Sequence, residues 1–140
     1  MLAIAHRGAS GHAPENTRAA FDLAIETGAD MIETDVQLTR DGQLVLFHDD
    51  LVNRTSKGLG PLADHTLEEL QVLDLGSWFG ATFAGQRIVT LDEFVQKYLP
   101  RVPVCVEIKD PLAVEPLMDA IDMLWDDTTS LHVTSCSWSA

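Results

Sequence analysis

Apolar and polar positions along this chain fall into short runs of two periods. Leu2–Ala5 is a brief apolar run halted by His6-Arg7-Gly8, the pattern of a buried strand entering a loop. Pro14 stands where a helix would begin; Phe21, Ala24 and Ile25 recur at helical spacing, and Gly28 supplies a stop. Met31–Thr39 then alternates, with Met31, Glu33, Asp35 and Gln37 on one face and Ile32, Thr34, Val36 and Leu38 on the other. That is a strand with polar groups on an unusual face. Asp41-Gly42 signals a hairpin turn into a further strand, Leu44–His48.

From Asp49 to Arg87 the chain is rich in Gly, Asp and Thr and reads as a long excursion with one short helix. That helix opens at Thr66-Leu67-Glu68-Glu69, a capping box in which hydroxyl and carboxylate satisfy the free N–H groups of the first turn. A second box, Thr90-Leu91-Asp92-Glu93, opens a helix with Leu91, Phe94, Val95, Tyr98 and Leu99 on one face, ended by Pro100. Val102–Ile108 is a compact apolar strand finishing in Glu107-Ile108-Lys109. Pro111 starts another helix, with Val114, Leu117, Met118, Ile121, Leu124 and Trp125 on one stripe, and Leu131–Thr134 reads as a last strand. Strands alternating with helices call for a parallel sheet, so the fold class is α/β, in one domain over residues 1–140.

Composition narrows the function. The net charge is −13, spread evenly over both halves, with no acidic tail and no basic patch. Nucleic-acid binding is disfavoured, and an anionic membrane would repel this surface. No apolar run is long enough to span a bilayer, and Met1–Arg7 lacks the basic start and long apolar core of a signal peptide. Cys105 and Cys136 make no disulfide framework and read as reduced thiols serving as small core hydrophobes. These features point to a cytoplasmic protein without stable membrane insertion.

The candidate chemistry lies where apolar runs end. His6-Arg7 ends the first strand, Glu33 and Asp35 the second, His48 the hairpin strand, and Glu107 and Lys109 the next. In parallel α/β folds, ligand sites are built at the C-terminal ends of strands. Glu33 and Asp35, two apart, leave the strand on one face, where they repel unless one is protonated or a cation sits between them. With Glu107 as a third oxygen donor, the set suits a hard divalent metal, Ca2+ or Mg2+ with Mn2+ as a further candidate, rather than zinc. His6 and His48 are a candidate general acid–base pair, and Arg7 and Lys109 suit phosphate oxygens. His12, His65 and His132 read as structural or surface residues.

His6-Arg7-Gly8, Pro14-Glu15-Asn16-Thr17, Glu33-Thr34-Asp35, His48-Asp49-Asp50, the Arg54-Thr55 to Leu75-Gly76 stretch and Glu107-Ile108-Lys109, in this order, resemble the glycerophosphodiester phosphodiesterase family. The resemblance implies a TIM (β/α)8 barrel that hydrolyses a small-molecule glycerophosphodiester to glycerol 3-phosphate and an alcohol. It implies metal ligation by Glu33, Asp35 and Glu107, acid–base roles for His6 and His48, and phosphate contacts from Arg7 and Lys109. Glu15, in the Pro-Glu-Asn-Thr motif, is a supporting candidate whose plainer reading is a first-turn helix carboxylate. The stretch 49–87 resembles the family's insertion, which helps to enclose the glycerol end of the substrate.

A complete barrel takes about 250 residues and eight strands. This chain supplies only about the first half, a partial phosphodiesterase domain, and breaks off at Cys136–Ala140, where the family would start its next helix. Half a barrel leaves strand edges and apolar faces open, so a second copy or a missing C-terminal half is expected to complete it. Truncation of a longer enzyme is the leading explanation. Two other readings are a related phospholipid phosphodiesterase of the sphingomyelinase D type and a catalytically silent half-barrel fragment.

Overall fold

The alternating segment becomes the best-connected strand of a five-stranded sheet in the computed structural model, which describes residues 1–124 and 131–135. Trp125, the side chain of Leu124, and Cys136 with the tail to Ala140 lie outside the described residues. The strands are β1 (Ile4–His6), β2 (Met31–Leu38), β3 (Leu44–Leu46), β4 (Val104–Ile108) and β5 (Leu131–Ser135). The helices are α1 (Arg18–Glu26), α2 (Leu67–Gln71), α3 (Leu91–Tyr98) and α4 (Val114–Leu124). Short 3-10 turns at Leu62–Asp64, Ala81–Phe83 and Pro111–Ala113 join them.

Strands β1, β2, β4 and β5 are parallel neighbours in that order, and β3 is antiparallel to β2. Glu33 pairs with both His6 and Cys105, and Val36 with both Leu46 and Ile108. Strands β1 and β3 therefore share one edge of β2, with β3 beyond the C-terminal end of β1 and β4 opposite both. This arrangement carries the segment after β3, with His48, to the rim where β1 ends.

Ile32, Val36, Val104 and Val106 face the helices and form the main core with Phe21, Phe94, Tyr98 and Leu117. The Phe21 and Phe94 rings lie 4.7 Å apart between centroids, with Tyr98 5.3 Å from each. A second cluster, including Val52, Leu62, Leu70, Leu75 and Ile88, gives the 49–87 excursion an apolar interior that continues into Val45 and Phe47. Both capping boxes form as expected, at Thr66 with Glu69 and at Thr90 with Glu93.

Several boundaries move, each for a local reason. Strand β1 starts at Ile4, not Leu2, because its partner β2 begins opposite Ile4, and it runs on to His6, which pairs with Glu33. The first helix starts at Arg18, not at Pro14: Asn16 is left-handed (φ 54°) and interrupts any helix, and Thr17 is the N-cap that accepts from Ala20 N. Strand β3 stops at Leu46 and leaves His48 in a loop. Strand β4 begins at Val104, after Pro103, which has no N–H to donate and serves as acceptor for Ile32 N. The excursion carries two 3-10 turns besides its helix; single turns leave no periodicity to read.

The α4 stripe is only partly buried. Leu117 is fully enclosed, whereas Val114 and Met118 are exposed at 41% and 48%, because that side of the helix meets no cover among the described residues. Val133 on β5 is likewise exposed. None of the described helices is long and apolar enough to cross a membrane.

Candidate functional site

Strand register stacks the chemistry on the face of the sheet opposite the helices. His6, Glu33, Cys105 and His132 pair across the four parallel strands, and Asp35, Glu107 and Thr134 pair one layer further toward the C-terminal ends. Cys105 is thus half-buried beneath the site, with Sγ 3.9 Å from Thr134 Oγ1. It is not the core hydrophobe that cysteine statistics suggest, since its place in β4 points it to the polar face.

Glu33 and Asp35 are buried and Glu107 half-buried, and each offers an oxygen within 4.8 Å of the other two. Burial, together with the neighbouring charges of Asp35 and Glu107, raises the Glu33 carboxyl to about 7, against an N–H bond from the Arg7 backbone that favours the anion. Glu33 Oε1 and Asp35 Oδ1 are buried and accept no hydrogen bond, an expensive arrangement unless a cation is meant to sit there. Oxygens bound to one Ca2+ at about 2.3–2.6 Å lie at most about 5 Å apart, so the spacing, the hard donors and the two oxygens that accept no hydrogen bond all fit a divalent ion.

Cations surround these carboxylates. Arg7 Nε lies 3.4 Å from Asp35 Oδ2, and Lys109 Nζ lies 3.0 Å from Glu107 Oε1 and 3.5 Å from Asp35 Oδ1. Arg7 itself is left-handed (φ 58°), a conformation that strains a residue bearing Cβ by roughly 1–2 kcal/mol. That twist lets its N–H reach Glu33 Oε2 at 3.0 Å and its carbonyl accept from Asn16 N. Gly8 follows with φ 78°, and a Cβ there would fall 2.7 Å from the Ala20 backbone, so only glycine seats this loop on α1.

The histidines enter differently. His6 is 61% exposed, with Nε2 3.8 Å from Glu33 Oε2. His48 is more enclosed, its Nδ1 2.7 Å from Asp49 Oδ1. Gln37, on the carboxylate face of β2, donates to the carbonyls of Phe47 and Asp49 at 2.8 Å each and so pins the backbone on both sides of His48. Glu15 is not a first-turn helix carboxylate, since α1 begins after it; instead it meets Arg7 Nη1 at 3.5 Å and Arg54 Nη2 at 2.6 Å.

Comparison with known proteins decides the kinship. Residues 6–135 match the model of the glycerophosphoryl diester phosphodiesterase family. The chain belongs to that family. A glycerophosphodiester phosphodiesterase of Caldanaerobacter subterraneus is 52% identical over 116 residues, covering 82% of this chain and 48% of the relative. YhdW of Bacillus subtilis is 58% identical over 109 residues, covering 78% of this chain and 45% of that protein. Among solved structures, an Oleispira antarctica phosphodiesterase in complex with the product sn-glycerol-3-phosphate matches with TM-score 0.90 at 35% identity, over 99% of this chain and 58% of that one. The Agrobacterium tumefaciens glycerophosphodiester phosphodiesterase matches with TM-score 0.83 at 38% identity, over 98% and 59%.

This member of the family thus has the TIM-barrel fold class in partial form, and it spans about half the length of the curated relatives it matches. The fold brings His6, Arg7, Glu33, Asp35, Glu107 and Lys109 to one point, and connects His48 to them through Asp49, Arg54, Glu15 and Arg7. Sequence reasoning gave no role to Asn16, which is buried, donates to Asp35 Oδ2 at 3.0 Å and accepts from Thr34 Oγ1 at 2.8 Å. Asp49 and Arg54 stand in motifs of the family resemblance, where nothing in the sequence marks their contacts with His48 and Glu15. Asn16 lies within the Pro-Glu-Asn-Thr motif, and asparagine's tolerance of left-handed backbone is the signal the sequence offers for it.

Proposed function

We propose that this chain carries the catalytic groups of a metal-dependent glycerophosphodiester phosphodiesterase, which releases glycerol 3-phosphate and an alcohol. The observation that carries this reading is the Glu33, Asp35 and Glu107 cluster with two buried oxygens left without a hydrogen bond. Family membership and the likeness to a phosphodiesterase whose structure holds sn-glycerol-3-phosphate support it.

Glu33, Asp35 and Glu107 would hold the metal, Ca2+ or Mg2+ by ligand type. Bound there, a divalent ion withdraws charge from a phosphoryl oxygen. Arg7 and Lys109, on the same rim, offset the negative charge that grows on the phosphoryl oxygens during in-line displacement. One histidine takes the proton of the nucleophile and the other gives a proton to the departing alkoxide. Water as nucleophile gives glycerol 3-phosphate directly, whereas a neighbouring substrate hydroxyl gives a cyclic phosphate that water then opens to it. The exposed apolar side of α4 and the edge at Val133 are read as contacts for the rest of a barrel, from a second copy or a C-terminal half.

The test is glycerol 3-phosphate release from glycerophosphocholine and glycerophosphoethanolamine, with Ca2+, Mg2+ or Mn2+, with chelator, and with His6→Ala and His48→Ala. Metal-dependent release that both variants lose by roughly 100-fold or more is expected, with metal affinity nearly unchanged. Near-native rates in both variants would sink the acid–base assignment. A folded chain that binds no divalent metal would sink the metal site.

A further inference from the structure

Arg54 lies in the excursion, away from the carboxylate cluster, yet it joins the two loops that frame the rim. Its Nε donates to Asp49 Oδ2 at 2.7 Å and its Nη2 to Asp49 Oδ1 at 2.9 Å. On its other side Nη2 donates to Glu15 Oε1 at 2.6 Å and Nη1 to Glu15 Oε2 at 3.1 Å. The Trp78 ring packs over the guanidinium, 5.9 Å from centroid to Cζ.

We propose that Arg54 is a positioning residue: its fork fixes Asp49 so that Asp49 holds His48 as the Nδ1–H tautomer, leaving Nε2 as the nitrogen that exchanges protons with substrate. The inference rests on the reading of His48 as an acid–base group. An ionised carboxylate only accepts hydrogen bonds. Asp49 is kept ionised, its carboxyl held down to about 2 chiefly by the hydrogen bonds from Arg54. The 2.7 Å contact with His48 Nδ1 must then carry its proton on the imidazole.

Glu15 explains why one cation serves two acids. Glu15, His48 and Asp49 each offer a ligand atom within 4.8 Å of the others. Without a charge between them the two carboxylates would repel, and Glu15 would compete for His48. The planar fork of Arg54 satisfies both acids at once and orders them: Asp49 toward His48, Glu15 toward Arg7. A lysine ammonium, a point charge on a flexible stem, cannot span both pairs.

The experiment is long-range 1H–15N correlation of the imidazoles in the 15N-labelled chain at about pH 8, where neutral histidine is the ordinary state. His48 signals are assigned by their loss in His48→Gln. Wild-type His48 is expected to be protonated on Nδ1. Arg54→Gln is expected to move roughly half or more of the population to the Nε2–H tautomer without a change in far-UV circular dichroism, and Arg54→Lys to shift it less. In the glycerophosphocholine assay Arg54→Gln should lose about 10- to 100-fold in kcat with little change in KM, and regain part of it with methylguanidinium. A wild-type His48 protonated mainly on Nε2, or an unchanged tautomer in Arg54→Gln, overturns the proposal. A wild-type spectrum with the proton on Nε2 overturns the proposal without any variant, and Arg54→Lys carries the test of Arg54 if Arg54→Gln fails to fold. Absence of turnover in wild type counts against the hydrolase reading alone, since the tautomer is measured without substrate.

Discussion

At the scale of single residues, Glu33 has the most consequential environment. Its carboxyl is raised from 4.5 to about 7, first by burial and then by Asp35 and Glu107. The folded state therefore holds this proton more tightly than the unfolded chain does. Without metal, stability is undiminished below about pH 4.5, falls as pH rises through about 7, and stays lower above it, by on the order of 3 kcal/mol. Glu33→Gln removes that loss. Urea melts in chelator should show the variant more stable than wild type at about pH 8 and nearly equal at about pH 4, while the variant loses divalent-metal binding. A stability difference independent of pH would show that Glu33 keeps an ordinary carboxyl. Gly8→Ala should act oppositely, destabilising the chain by at least about 1–3 kcal/mol, because φ is positive and Ala20 blocks the new methyl; the same melts measure it. Glu33, Asp35, Glu107 and Lys109 were legible in the sequence because acid and base at the end of an apolar run contradict burial. Asn16 was not, because its partner Asp35 lies 19 positions away at no fixed period; Arg54 was not, because its second acid, Glu15, lies 39 positions away, although Asp49 is only five away.

At the scale of elements, the two helices opened by capping boxes were the more legible part. Each capping box fixes a start by chemistry confined to four residues, and the apolar face of α3 is buried at Leu91, Phe94, Val95 and Tyr98 as its spacing requires. Thr90→Ala removes the hydroxyl that accepts from Glu93 N at 3.2 Å. It should cost about 1 kcal/mol by denaturant melts and leave metal binding unchanged, since α3 packs on the face of the sheet away from the carboxylates. A loss of metal binding in Thr90→Ala would mean that the two faces are coupled. Strand ends were less legible because they depend on partners. The short β3 is bounded by its pairing with Val36–Leu38, and the start of β1 by where β2 begins, so each end moves with a neighbour distant in sequence. Alternation in β2 showed the two faces but not that both are buried, one under helices and one under the polar site.

At the scale of the whole molecule, the fold class was legible because alternating strands and helices admit a parallel sheet, whereas the cover of α4 was not. A stripe states that a helix has an apolar face, but not whether enough sheet lies beneath it; here Leu117 finds cover and Met118 does not. The overall charge of −13 sets the conditions for testing the metal site. A strongly anionic chain gains some stability from any added cation through screening and relief of self-repulsion, so a rise in Tm with MgCl2 alone proves little. At fixed ionic strength the screening term is held constant and only site binding remains. Under that condition, a divalent ion at about 100 times its dissociation constant should stabilise the chain by about 2.7 kcal/mol, less any affinity for the unfolded state. Asp35→Asn should abolish the increment, because Asp35 is fully buried between both cations and both other acids. The increment should shrink below about pH 7, where binding must first displace the proton of Glu33. An increment that persists in Asp35→Asn, or one that NaCl reproduces at equal ionic strength, would assign the stabilisation to the anionic surface as a whole and remove the site.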